Sequence, residues 1–133
     1  MMSQVFVSGH KSPDTDSIAA ALSYSYLKRR LGMDAVAVRA GEINKESRFA
    51  LDYFNLEEPI LVTSVERKNP EDEKQKVILV DHNESKQTID GMDDAEVLEI
   101  IDHHRFGDFE SENPIFILVR PVGCVNTVIY GLY

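Results

Sequence analysis

Short apolar runs of extended character alternate along this chain with segments of helical spacing. That alternation restricts it to an α/β fold, a mostly parallel sheet with helices on both faces. The runs are Gln4–Ser8, Ala35–Arg39, Val77–Val80, Glu96–Ile101 and Ile115–Arg120, all rich in Val, Ile and Leu or flanked by turn residues. Between them, Ile18, Ala21, Leu22, Leu27 and Leu31 place a helix over Ser17–Leu31, stopped by Gly32. Lys45–Phe54 reads as a short amphipathic helix with Phe49, Tyr53 and Phe54 near one face. Ser64–Lys76 is polar, charged and carries Pro70, which marks a surface loop. From Gly123 onward Val125, Val128, Ile129 and Leu132 resume helical spacing with no cap after them, so residues 1–133 read as one domain that is incomplete at its C-terminus.

Three of the strands run directly into polar clusters. The first is Gly9-His10-Lys11-Ser12-Pro13-Asp14-Thr15-Asp16-Ser17, the second Asp81-His82-Asn83-Glu84, and the third Asp102-His103-His104-Arg105. In an open parallel sheet, ligands bind beyond the carboxyl ends of the strands, so the three clusters are expected to meet at one edge. Carboxylates gathered there repel one another and raise one another's pKa values unless something compensates. Divalent cations compensate, and a mixed set of Asp oxygens and His nitrogens suits Mn²⁺ or Co²⁺ better than Mg²⁺. A pair of such ions, roughly 3.5–4 Å apart, can activate a water and clamp both oxygens of an in-line displacement at phosphorus.

Charge bears on the partners. The net charge is −9, which speaks against binding to nucleic-acid backbones. The same charge would oppose an anionic phosphate substrate, but metal ions bound by the carboxylates reverse the local field. No apolar run is long enough to span a bilayer, the N-terminal stretch lacks the pattern of a secretory signal, and Cys124 has no partner for a disulfide. A cytoplasmic protein without membrane contact is the expectation.

GHKSPDTDSI, VDHNE and IDHHR, in that order, resemble the first motifs of the DHH phosphoesterase superfamily. With RAGEINKESRFALDYF and RPVGC, the chain is similar to manganese-dependent (family II) inorganic pyrophosphatases over nearly its whole length. The resemblance implies that His10, Asp14 and Asp81 hold one metal and that Asp16, Asp81 and His103 hold the other, with Asp81 bridging. It implies that His104 faces the substrate and that Asp102 and His82 stand behind the ligands and orient them. It further implies two Mn²⁺ per complete site, with Co²⁺ or Mg²⁺ as substitutes, a homodimer, and hydrolysis of diphosphate to two phosphates. Members of that family have one more aspartate ligand and a second, basic domain that closes over the site. Neither is found here, so the chain alone is expected to be inactive. The regulatory insert of some members has no counterpart between Leu61 and Val77.

Plainer readings compete at each position. Asp14 or Asp16 could cap a helix, Asp81 and Asp102 could each open a turn, and His10, His103 and His104 could be ordinary loop histidines. Three Asp/His clusters at three strand ends are hard to explain as independent turns, and this favours the metal reading. Two other functions remain open at this point. One is a different DHH phosphoesterase acting on polyphosphate or oligonucleotides; the other is a non-catalytic metal-binding and dimerisation unit.

Overall fold

The computed structural model describes residues 3–133. Six strands form one sheet, β1 (Val5–Ser8), β2 (Ala35–Arg39), β3 (Ile60–Leu61), β4 (Lys76–Val80), β5 (Glu96–Asp102) and β6 (Phe116–Val119). Their spatial order is β3-β2-β1-β4-β5-β6 and every pairing is parallel. The chain therefore builds outward from β1 in one direction, then returns to lay β4 on the other side of β1. This reversal leaves a crevice beyond the carboxyl ends of β1 and β4, where connections depart to opposite sides.

Both faces of the sheet are covered over the central strands β1, β2 and β4, whose side chains are largely buried, whereas those of β3 and β6 are largely exposed. Val5, Val7, Ala35, Ala37, Ile78, Val80 and Ile101 pack beneath helices α1 (Thr15–Arg30) and α3 (Val125–Tyr130), against Ala20, Ala21, Tyr24, Val125, Val128 and Ile129. The alternate residues Val38, Val77, Leu79 and Ile100 face the other way, toward Val65 and Ile89. On that second face the helical cover is slight: 3-10 turns at Ser85–Gln87 and Met92–Asp94, of which Met92 touches the core. No helix among the described residues is long and apolar enough to cross a membrane.

Several local details depart from the sequence expectations. α1 begins at Thr15 rather than Ser17, because the Asp14 carboxylate accepts from the Ser17 amide at 2.9 Å and caps the helix two residues earlier. At its other end Gly32 has φ +99, a left-handed conformation that stops the helix. α2 (Lys45–Tyr53) buries Ser47 and Leu51, while Phe49, Tyr53 and Phe54 stack on one another and remain exposed. β3 was not expected: it is two residues long, at the sheet edge, with both side chains exposed. In β5 the register against β4 slips, so that Val77 faces Val97 and Ile78 faces Glu99. The extra residue turns Glu99 toward α1, where its carboxylate meets the Tyr24 hydroxyl and lies 2.7 Å from Lys28 Nζ. Burial, aided by that carboxylate, pushes the Tyr24 hydroxyl well above its ordinary pKa.

Candidate metal centre

Three adjacent strands, β1, β4 and β5, deliver the polar clusters to one edge. β1 leads into the loop that carries His10, and then into the first turn of α1 with Asp14 and Asp16. For this loop to fold back, the backbones must come close: a Cβ on Gly41 would lie 2.1 Å from the Lys11 carbonyl oxygen. β4 is followed directly by Asp81, which is buried and has φ 64. An aspartate tolerates this left-handed conformation better than most residues, at a cost of ~1–3 kcal/mol, and it turns the carboxylate into the crevice. β5 ends at Asp102, followed at once by His103 and His104.

Asp81 is the hub. Its Oδ2 accepts from Ser17 Oγ at 2.7 Å and lies 3.3 Å from His10 Nε2. Its Oδ1 lies 2.9 Å from His103 Nε2. On the first side, Asp14 Oδ1 is 3.7 Å from His10 Nε2; on the second, Asp16 Oδ2 is 3.6 Å from His103 Nε2. The two carboxylate oxygens thus face two separate His/Asp pairs. Ligands ~2.1 Å from one ion and at right angles to each other stand about 3 Å apart, so spacings of this size suit shared ions.

Tautomers make the fit sharper. His103 Nδ1 is 2.9 Å from the Val122 carbonyl, which can only accept, so Nδ1 carries the hydrogen. In the neutral ring Nε2 then turns a lone pair toward Asp81 Oδ1, and two acceptors face each other. Only a positive species between them relieves this, either a second proton or a metal ion. Burial by itself would lower the His103 pKa, but the Val122 carbonyl and the Asp81 and Asp16 carboxylates outweigh it and raise it. The hydrogen bond to Asp81 likewise raises His10 against the effect of burial. For Asp81, burial pulls upward, yet its bonds to His10 and Ser17 and the charges on His10 and His104 leave it below the ordinary value. Potential ligand atoms lie within 4.8 Å of one another in each of two groups, one of His10, Asp14 and Asp81 and the other of Asp81, Asp102, His103 and His104, and Asp16 adjoins the second through His103.

The remaining residues surround this hub. Asp102 is fully buried, and protein donors occupy both of its oxygens. Oδ1 accepts from the His103 amide at 2.7 Å and the His104 amide at 3.2 Å, and lies 2.8 Å from His104 Nδ1. Oδ2 accepts from Asn83 Nδ2 at 2.7 Å. Asp102 is thereby committed to holding the loop. His104, half exposed, is steadied at Nδ1 and keeps Nε2 for whatever enters the crevice. His82 is buried with Nδ1 bonded to the Val80 carbonyl at 2.8 Å, and it forms no hydrogen bond to an Asp side chain among the described residues.

All eight residues singled out from the sequence thus lie in or directly behind one crevice. Sequence reasoning missed three others. Ser17 holds Asp81 Oδ2. Asn83 ties the β4 turn to the loop after β5. Asn126 donates to Asp16 Oδ1 at 2.5 Å, and the Val125 amide donates to Oδ2 at 2.9 Å, so the start of α3 fixes Asp16. The oxygen of Asp14 that caps α1, Oδ1, is also the one that faces His10; a carboxylate oxygen has two lone pairs, so the cap and a ligand role are compatible.

The DHH family, N-terminal domain, matches residues 4–133. Proteins named "Probable manganese-dependent inorganic pyrophosphatase" from an Exiguobacterium species and from Bacillus licheniformis are each 50% identical to the chain over 132 residues, which is 99% of this chain and 41% of theirs. The chain thus spans about two-fifths of the length of these relatives. A solved structure titled "Crystal structure of Methanococcus jannaschii putative family II inorganic pyrophosphatase" superposes with a TM-score of 0.84 at 39% identity, covering 97% of this chain and 38% of the other. An exopolyphosphatase-related protein of Bacteroides fragilis gives a TM-score of 0.64 at 15% identity, covering 98% and 38%, and shares the fold.

Proposed function

Because the chain belongs to the DHH family and supplies its N-terminal domain, we propose that it is the metal-binding part of a manganese-dependent inorganic pyrophosphatase. The observation that carries this reading is the placement of Asp81, whose two oxygens each face a different His/Asp pair. His10, Asp14 and Asp81 would hold one Mn²⁺, and Asp16, Asp81 and His103 the other; Co²⁺ or Mg²⁺ would substitute. When bound, such ions lower the pKa of a water and offset charge developing on phosphate oxygens. The chain's own residues do the rest. Asp81 fixes the spacing of the two halves, and Ser17 keeps its carboxylate from rotating. Val122, through its carbonyl, presents His103 Nε2 to the crevice. His104, whose Nδ1 hydrogen is held by Asp102, would donate from Nε2 to a phosphate oxygen with its ring protonated and so position the diphosphate, while His82 packs behind Asp81.

Names of relatives more than twice this length support diphosphate as the substrate. On this reading a further aspartate and a basic closing domain complete the site. The protein would work as a cytoplasmic homodimer, with no part for nucleic acid or membrane. The experiment has two arms. The chain by itself should bind Mn²⁺ and release little or no phosphate from diphosphate. Joined to the remaining length of its relatives, it should hydrolyse diphosphate in preference to polyphosphate or a dinucleotide. Failure to bind Mn²⁺, or a preference for either competitor, would overturn the reading.

A further inference from the structure

Asn83 is buried, two residues beyond Asp81, and every bond of its side chain crosses to the loop after β5. Nδ2 donates to Asp102 Oδ2 at 2.7 Å and to the Arg105 carbonyl at 3.0 Å. Oδ1 accepts from the Gly107 amide at 2.6 Å. One planar amide thus spends both donors and its acceptor on a single segment, residues 102–107. No other side chain of this size offers that combination, since aspartate has no donor and leucine has neither donor nor acceptor.

The effect of those bonds passes onward. Asp102, gripped at Oδ2, uses Oδ1 to hold the amides of His103 and His104 and the His104 ring. An independent feature shows how closely the two segments seat. A Cβ on Gly107 would lie 2.4 Å from Glu84 Cγ and 3.4 Å from Asn83 Oδ1, so a side chain there would have to displace that of Glu84. The other half of the centre has no such dependence: His10 and Asp14 hang on β1 and the start of α1, and Asn83 bonds to neither.

We propose that Asn83 is a positioning residue for the second cation: its amide seats the loop bearing His103 against the Asp81 turn, so that the Asp16–Asp81–His103 half of the centre forms only while this bridge is made. The proposal rests on the two-cation reading given above. It adds an asymmetry which that reading does not contain. Loss of the bridge should weaken one ion and spare the other, by the ~10–100-fold that removal of a ligand's supporting hydrogen bond typically costs.

The test is Mn²⁺ titration of this chain, followed by the spin-resonance signal of the free ion, with thermal unfolding on the same samples. Asn83→Leu keeps the branched four-atom skeleton and removes the bonds. His103→Ala and His10→Ala assign each class of bound ion to its half. The class lost in His103→Ala should weaken about 10–100-fold in Asn83→Leu, while the class lost in His10→Ala stays within about twofold. Should Asn83→Leu fail to fold, Gly107→Pro decides, because it removes the amide hydrogen that Asn83 Oδ1 accepts and leaves Asn83 intact; the same asymmetry is expected. Equal weakening of both classes, which a general loss of stability would give, overturns the proposal, as does no weakening of either. Two bound ions in the unaltered chain with no asymmetry in the variants would remove the role of Asn83 and leave the two-cation reading standing. No Mn²⁺ binding by the unaltered chain would remove both.

Discussion

His82 should make the metal-free protein sensitive to mild acid. Its ring is 1% exposed, and its Nε2 has no hydrogen-bond partner among the described residues. Burial, reinforced by the charge on His10, lowers its pKa from 6.5 to about 4, against the opposing pull of the Val80 carbonyl and of Asp102 and Asp81. In the unfolded chain the ring takes up a proton as the pH falls through 6.5, whereas in the folded chain it does so only near 4. Between those values the unfolded state binds more protons, so stability falls as the pH falls. Two and a half units at ~1.36 kcal/mol each amount to about 3 kcal/mol, a large part of the ~5–15 kcal/mol that holds a domain together. His10 and His103 work in the opposite sense. Their folded pKa values are raised, so their contribution is present in full below 6.5 and is lost as the pH rises through the folded values. A difference experiment isolates His82. Asn in its place retains a donor for the Val80 carbonyl and does not titrate. Urea unfolding of the chain and of His82→Asn, both in chelator, should show the gap in stability between them narrowing by about 3 kcal/mol from pH 7 to pH 4. A gap independent of pH, or a His82 proton resonance titrating near 6.5, would refute the reasoning.

Three further outcomes follow from the same structure. Asp81→Asn should weaken Mn²⁺ at both halves of the centre by at least ~100-fold, beyond the ~10–100-fold seen when only a supporting residue changes; calorimetric titration checks it, and loss of one ion alone would argue against a shared carboxylate. Mn²⁺ affinity should fall by about tenfold per pH unit for each histidine that must lose a proton, once the pH is below the raised values of His10 and His103; titrations at several pH values read this, and a flat profile would exclude the two histidines as ligands. Glu99→Ala strands Lys28 and Tyr24 beneath α1 and should cost about 3 kcal/mol, seen as a lower Tm, with Mn²⁺ binding unchanged because Glu99 lies on β5 well before Asp102.

What could be read from the sequence followed from repetition of one pattern. Apolar runs such as Val77–Val80, and Ile100–Ile101 at the end of β5, are buried on both faces, so they stand out without any partner being known. The Asp and His clusters stood out for the same reason, since each follows a strand directly. Other features left no local trace. Ile60–Leu61 pairs only by backbone, with exposed side chains that show no alternation. The aromatic face of α2 suggested an inward side, yet Ser47 and Leu51 face inward instead, and spacing cannot tell which side of a short helix meets the core. The register slip that turns Glu99 toward Tyr24 depends on a neighbouring strand. Asn83 and Asn126 act on residues 19 and 110 positions away, Asp102 and Asp16, and only the folded chain brings them together.

Crystals grown with Mn²⁺ and measured at the manganese absorption edge test the central claim most directly. Two anomalous peaks are expected, one on each oxygen of Asp81, the first within bonding distance of His10 and Asp14 and the second of Asp16 and His103. A single peak, or peaks that leave Asp81 uncoordinated, would contradict the account.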